Sequence, residues 1–374
     1  MGKGGAVIRL LFEVGHLYHR AALDPLYQVF QQDPRYDIAF TCSYDAERRL
    51  GVFNRSLRHE LEARFRTEGL TIAEDTTGFD VVIVGDTVRD PQRYGKTLLC
   101  FVNHGTGIKN ILYRNLRGQM QTRYQIFVEG DYRVSKIREA GVEGCSTVHN
   151  VGLPKLDPLF WPGYPTRTDI LSKLGLDPDK PTVLFAPTYK PTCIDQVREH
   201  IVDATRDYNL IIKLHHYSWR GKYAPHWHHT LYERAVAQAS HAVLIPVDDY
   251  NILPFMHAAD TLMSEASSTM FDFLALHKTG IVFVLPHDTM QHHDGEALLS
   301  EDPQQFLAGV FVHIHHPDEI GDAIADALRD DSERRQMAAH YRDHYFFGLD
   351  GRASQRTKTT IERLLTEGGH ANCP

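Results

Sequence analysis

Short runs of nearly continuous apolar residues alternate, along most of the chain, with stretches whose apolar positions recur every three or four residues. In the first half the runs fall at residues 6–13, 36–43, 79–85, 96–102 and 124–129, the third built on Val81, Val82, Ile83 and Val84. Strands read this way when helices cover both faces of a parallel sheet. Amphipathic segments at 23–30 and 55–68 lie between them. A proline-rich stretch interrupts the alternation, first Gly152-Leu-Pro-Lys-Leu-Asp-Pro158 and then Trp161-Pro-Gly-Tyr-Pro165. The pattern then restarts, with strands expected at 182–186, 210–215, 242–247, 261–264, 281–285 and 310–315 and helices at 196–207, 251–258, 269–276 and 318–328. Alternation of this kind predicts an α/β fold with right-handed crossovers, and the break predicts two successive units. The expected boundaries are 1–160 for the first domain and 161–345 for the second. A C-terminal helix and tail, 346–374, would pack back on the first. Two such domains facing one another would leave a central cleft lined by the carboxyl ends of both sheets, where open α/β folds bind ligands.

Composition narrows the class. Of 374 residues, 42% are hydrophobic and 24% charged, a globular balance that excludes a disordered, collagen-like or coiled-coil chain. Lys and Arg total 40 against 48 Asp and Glu, net −8, which lacks the basic footprint of a non-specific nucleic-acid binder. Cys42, Cys100, Cys145, Cys193 and Cys373 are scattered with no C-x-x-C, predicting reduced thiols in the cytoplasm rather than a disulfide framework or zinc ribbon. No apolar run approaches the ~20 residues of a spanning helix. Met1–Ala6 lead straight into a strand without a signal-peptide core. A cytoplasmic location follows, with the inner face of the membrane within reach. Ile111-Leu-Tyr-Arg-Asn-Leu-Arg-Gly-Gln-Met120 has the basic amphipathic character of a peripheral membrane contact, although a core-facing helix with a solvated edge has the same pattern.

The 23 histidines need sorting before any is given a chemical role. His104 stands where a strand gives way to Gly105-Thr-Gly107 and an expected helix at 108–120. The glycines permit close backbone approach, and a helix start would offer N–H groups to an anion; the alternative is a glycine turn with a surface histidine. His215 closes another strand in Lys213-Leu-His-His-Tyr217, where an imidazole could hold phosphate oxygens or move a proton, or merely pack the loop. Ser267, Ser268 and Thr269 open a helix immediately after a buried strand. Capping explains two hydroxyls, and a third leans towards anion binding. Thr188 and Lys190 follow strand 182–186 in a similar polar turn. Glu13 and His16, after the first strand, are acceptor-side candidates together with Gly105 and Thr106. His287, His292, His293 and Asp294, and likewise His313, His315 and His316, resemble metal clusters but meet no template spacing, so no metal is expected.

Six segments in sequence order resemble the CDP-glycerol glycerophosphotransferase family, the teichoic-acid primases and polymerases. His104-Gly-Thr-Gly is similar to that family's H-G-T-P, and Gly152-Leu-Pro-Lys-Leu-Asp157 to G-x-P-R-x-D. Ala186-Pro-Thr-Tyr-Lys190 resembles A-P-T-W/Y-R, and Lys213-Leu-His215 resembles K-x-H-P. Ser264-Glu-Ala-Ser-Ser-Thr-Met-Phe-Asp272 resembles T/S-D-Y-S-S-x-x-F-D, and Asp350-Gly-Arg-Ala-Ser-Gln-Arg356 resembles D-G-x-x-S-x-R. The chain departs from these patterns at Gly107, Lys190, His216 and Glu265-Ala266. The resemblance implies a GT-B-like architecture of two facing Rossmann-like domains, the second binding a CDP-alcohol donor. It implies transfer of a polyol phosphate, glycerol phosphate foremost and ribitol phosphate next, to a hydroxyl of a cell-wall or capsule polymer, with release of CMP. The acceptor would be a glycan or polyol-phosphate chain, lipid-linked forms included, and no cofactor beyond the donor substrate would be required. His104 would be the base, and His215 with the Ser267–Thr269 loop, Thr188 and Lys190 would hold the donor phosphates. Two other readings share the sequence features: a GT-B glycosyltransferase using a nucleotide sugar, and a non-catalytic nucleotide- or polymer-binding module.

Overall fold

The computed structural model describes residues 7–43, 46–49, 53–220 and 227–368; Met1–Ala6 and Cys373 lie outside these. The chain divides into two compact units. One comprises Met1–His104, Leu112–Trp161 and Tyr345–Pro374, the other Gly105–Ile111 and Pro162–His344. The first is therefore not one unbroken stretch: a seven-residue segment directly after His104 groups with the second.

The first unit contains a parallel sheet of β1 (Ile8–Val14), β2 (Tyr36–Cys42), β3 (Val81–Val84), β4 (Leu98–Val102), β5 (Tyr124–Val128) and β6 (Thr147–Asn150), in the spatial order β2-β1-β3-β4-β5-β6. An isolated parallel bridge from Phe40 to Ile72 adds a rudiment beyond β2. The apolar runs are apolar because both faces are covered: all four residues of β3 and all five of β5 are buried. Leu11, Val82, Val84, Phe101 and Ile126 share one cluster with Leu112, Tyr113 and Leu116 of the helix Ile111–Arg117. Each fully buried aliphatic side chain contributes about 1.5–3 kcal/mol. That helix therefore spends its apolar stripe on the core of its own unit.

The second unit repeats the plan with β7 (Thr182–Phe185), β8 (Asn209–Ile212), β9 (Ala242–Leu244), β10 (Thr261–Ser264), β11 (Gly280–Phe283) and β12 (Val312–Ile314). Their spatial order, β9-β8-β7-β10-β11-β12, is the doubly wound nucleotide-binding order.

Two of the family-like segments bind each other inside the first unit. The Asp157 carboxylate accepts the backbone N–H groups of Ala353 (3.1 Å) and Ser354 (2.6 Å), capping the C-terminal helix Ala353–Thr366 from the distant helical turn Pro154–Phe160. Arg356 reaches the Val151 carbonyl at 2.7 Å and the Asp350 carboxylate at 2.9 Å. Lys358 pairs with Asp33 at 2.7 Å. These residues serve to lock the last helix in place.

Several local expectations change. Arg55 and Ser56 belong to a hairpin, Ala46–Arg49 against Phe53–Ser56, so the helix predicted at 55–68 runs only Arg58–Thr67. The predicted helix 108–120 runs only Ile111–Arg117. Cys145 is disulfide-bonded, which corrects the expectation of five reduced thiols, while Cys42, Cys100 and Cys193 are buried and free. Among the described residues, no helix is long and apolar enough to cross a membrane.

Candidate active site

Each sheet has a switch point where the winding direction reverses. In the first it lies between β1 and β3, in the second between β7 and β10. Loops leaving the carboxyl ends of strands at such a point line the ligand crevice of α/β sheets.

In the first unit these loops assemble an imidazole cluster. His16, Tyr18 and His19 follow β1, Gly85 and Asp86 follow β3, and His104 follows β4. The His104 ring lies 4.5 Å from that of His19 and 5.9 Å from that of Tyr18, centroid to centroid. His16 stacks on Tyr18 at 5.0 Å and meets His19 edge-on at 5.1 Å. His104 Nδ1 is hydrogen-bonded to the Gly85 carbonyl. A carbonyl only accepts, so Nδ1 carries the proton, and in the neutral ring Nε2 presents its lone pair. Burial holds the His104 pKa below the usual histidine value, and the charges of Lys155 and His16 act in the same direction. Asp86 and the Gly85 bond oppose them. His19, only 4% exposed, is pushed well below the usual value by burial and then by His104 and His16. His104 and His19 are therefore neutral near pH 7, and His104 has the tautomer of a base. Asp86 is fixed by the Thr87 amide at 2.7 Å and the Asn115 side chain at 3.1 Å. Glu13, expected on the acceptor side, is buried, ion-paired with Arg93 at 2.7 Å and hydrogen-bonded by the Tyr94 hydroxyl.

In the second unit the expected donor residues sit on loops after β8, β7 and β10, three neighbouring strands of the sheet. Tyr189 stacks near His215 at 4.5 Å and meets Tyr217 at 4.8 Å, tying the first two loops together. His215 Nδ1 accepts the Tyr217 amide at 3.2 Å, so in the neutral ring the proton sits on Nε2. Its tautomer is opposite to that of His104, and it suits a phosphate oxygen.

Glu265 ties the β7 loop to the β10 loop. At 1% exposure, it accepts the Thr188 amide at 2.7 Å, the Cys193 amide at 2.7 Å and the Thr192 hydroxyl at 2.8 Å. The sequence shows this residue only as a departure from the family's Asp. Here it is the anchor of the loop bearing Thr188 and Lys190. The Thr188 hydroxyl donates to the Pro191 carbonyl, so its proton is committed within the turn. Lys190 is exposed. Ser267 caps the helix Ser268–Ala275, its Oγ accepting the Thr269 amide at 3.3 Å and the Thr269 hydroxyl at 2.9 Å. With both lone pairs taken, the Ser267 proton remains available to an acceptor such as a phosphate oxygen.

The glycine segment after His104 does not run straight into a helix as expected, since the helix begins only at Ile111. Instead it forms a strap on the second unit. Asn110 bonds the Leu298 carbonyl through its amide at 2.8 Å, and the Ser300 amide bonds the Ile108 carbonyl at 2.7 Å. The buried Thr106 hydroxyl lies 2.8 Å from Asp272 Oδ1 and 3.0 Å from the Ser268 carbonyl. Gly107 has φ +82°, and a Cβ there would lie 2.2 Å from the Phe271 ring, so neither proline nor alanine fits. The family's proline is thus replaced by the one residue this backbone accepts.

Among the described residues, no group of three or more His, Cys, Asp or Glu is arranged to hold a metal ion. His313 turns its ring nitrogens to the carbonyls of Phe311 and Phe306, each at 3.1 Å.

Residues 102–363 match the model of the CDP-glycerol:poly(glycerophosphate) glycerophosphotransferase family. The chain belongs to that family. As a glycerophosphotransferase it is an enzyme of CDP-glycerol-dependent transfer, and the nucleotide-sugar and non-catalytic readings are not favoured. No curated protein matches it in sequence. Among solved structures it is similar to the wall teichoic acid polymerase TagF, with TM-score 0.64 and 15% identity over 96% of this chain and 90% of that one. It is also similar to the S. aureus MnaA–UDP co-structure (TM-score 0.60, 16% identity, 96% and 97% covered). A UDP-N-acetylglucosamine 2-epimerase gives TM-score 0.57 at 14% identity, with 99% of both chains covered. At these identities the likeness establishes the glycerophosphotransferase's GT-B-like α/β fold, and the residue roles rest on the chemistry above.

Proposed function

We propose that this enzyme moves glycerol phosphate from CDP-glycerol to a hydroxyl of a glycan or poly(glycerophosphate) acceptor, with His104 as general base. The carrying observation is the Gly85 carbonyl on His104 Nδ1, which leaves Nε2 as the basic nitrogen of a neutral ring. The acceptor hydroxyl gives its proton to Nε2 while its oxygen attacks the donor's β-phosphorus. The bond from that phosphorus to the bridging oxygen breaks, and CMP leaves with the electron pair. Displacement of this kind depends on positioning and charge stabilisation more than on covalent help. Nε2–H of His215 and the Ser267 hydroxyl would donate to diphosphate oxygens, and Lys190 would add charge from the exposed turn. Such donors contribute about 3–4 kcal/mol each when well placed, and a base contributes ~10²–10⁴-fold. In this reading the first unit serves the acceptor and the second the donor. Membrane contact through residues 111–120 draws no support from the helix Ile111–Arg117, whose Leu112, Tyr113 and Leu116 are buried.

Incubation with CDP-glycerol, CDP-ribitol and UDP-sugars, each with a poly(glycerophosphate) primer, tests the donor. The reading expects CMP from CDP-glycerol, with glycerophosphate added to the primer. UDP release from a sugar donor, or CMP with nothing added to the primer, would refute it.

A further inference from the structure

Two lysines of the second unit, Lys278 and Lys213, are matched to acceptors, and among the described residues Lys109 is not. Lys278 donates to three carbonyls, those of Met256 (3.0 Å), His257 (2.7 Å) and Ala259 (2.6 Å). Lys213 reaches the Leu214 carbonyl at 3.4 Å and feels the charge of Asp249. Lys109 has neither an ion pair nor a hydrogen bond to its ammonium among the described residues. It is partly buried, and its loss of water lowers its proton affinity. Glu265 opposes this at a distance, with its oxygens occupied by the β7 loop.

The backbone under Lys109 is fixed. Lys109 pairs with Leu299 in an antiparallel bridge, and the Asn110 side chain bonds the carbonyls of Ala297 and Leu299, each at 2.9 Å. Three residues earlier, Thr106 is bonded to the Ser268 carbonyl at the start of the Ser267-capped helix. A rigid mount thus holds a partly buried cation with no counter-ion among the described residues, on the same strap as a residue bonded to that helix start. A partly buried ammonium placed in this way gains most when an anion arrives.

We propose that Lys109 is a donor-phosphate residue whose ammonium binds an oxygen of the CDP-glycerol diphosphate beside the Ser267-capped helix. This rests on the glycerophosphotransferase reading and adds to it a contact that the family-like segments, as read from the sequence, did not include. On binding, the ammonium gains the counter-charge it lacks, and charge building on the departing CMP is neutralised.

The test uses the full chain as wild type, K109Q and K109R, titrated calorimetrically with CDP-glycerol and CDP, with cytidine measured by competition, and melted without ligand. K109Q is expected to weaken CDP-glycerol and CDP by about 10- to 100-fold, the worth of a charged hydrogen bond. Cytidine affinity should stay unchanged, K109R should keep most of the diphosphate affinity, and ligand-free K109Q should melt no lower than wild type. The proposal is overturned if K109Q binds CDP-glycerol like wild type, or if it loses cytidine equally. It also fails if ligand-free K109Q melts lower, which would mark Lys109 as a structural residue. A wild type that binds no CDP-glycerol would remove the donor reading itself; wild-type binding with an indifferent K109Q would remove Lys109 alone.

Discussion

Replacing Glu265 by alanine should loosen the donor side of this enzyme in a measurable way. The carboxylate, 1% exposed, accepts two backbone amides and one hydroxyl, all from the turn after β7. The Thr192 hydroxyl also lies 3.1 Å from the Thr188 carbonyl and can turn to it, so its loss is small. The Thr188 and Cys193 amides have no such alternative, and a buried N–H stripped of its acceptor costs about 1–3 kcal/mol. E265A is therefore expected to destabilise the second unit by about 2–6 kcal/mol. E265Q keeps the shape and one acceptor oxygen but turns an amide NH₂ towards a backbone donor, and should fall between. Scanning calorimetry reads the loss as a lowered transition, and steady-state kinetics read it as a raised KM for CDP-glycerol, because Thr188 and Lys190 lose their fixed turn. Unchanged melting together with unchanged KM in E265A would show that the turn is held by something other than this carboxylate.

Other consequences follow from the same geometry. Gly107→Ala puts a Cβ into the Phe271 ring at a left-handed backbone position; overpacking and the φ penalty together should cost about 2–5 kcal/mol in a denaturant titration. Because burial lowers the His104 pKa, the neutral base persists into acid, and the acid limb of kcat/KM should lie below the 6.5 of an ordinary histidine. His19 is neutral when folded and takes up a proton once unfolded, so the unfolded chain binds more protons as pH falls below 6.5. Stability should therefore be fully present above that pH and decline below it, and H19F should flatten the decline in denaturant midpoints.

The strands were legible because parallel sheets covered on both faces leave uninterrupted apolar runs such as Val81–Val84. Thr147–Asn150 was not, since Thr147, His149 and Asn150 are polar and leave no apolar run to read. The hairpin at Ala46–Arg49 and Phe53–Ser56 also escaped notice, its charged residues reading as the start of a helix. The candidate site was legible as a set of loops, because His104, His215 and Ser267 each end or follow a strand. What joins those loops was not legible. Glu265 looked like a departure from a motif, and Gly85 acts through a carbonyl that no residue letter reports. Asp157 and Arg356 looked like part of a functional signature, yet Asp157 holds the amides of Ala353 and Ser354, and Arg356 reaches back to the Val151 carbonyl. Long-range hydrogen bonds of this kind have no local pattern to read.

The central claim is that His104 removes the acceptor's proton while other residues hold the donor. The most direct measurement compares wild type and H104A for CDP-glycerol affinity and for CMP release with a poly(glycerophosphate) primer. The account predicts that H104A binds the donor as wild type does and releases CMP about 10²–10⁴-fold more slowly. Near-wild-type turnover by H104A would contradict it.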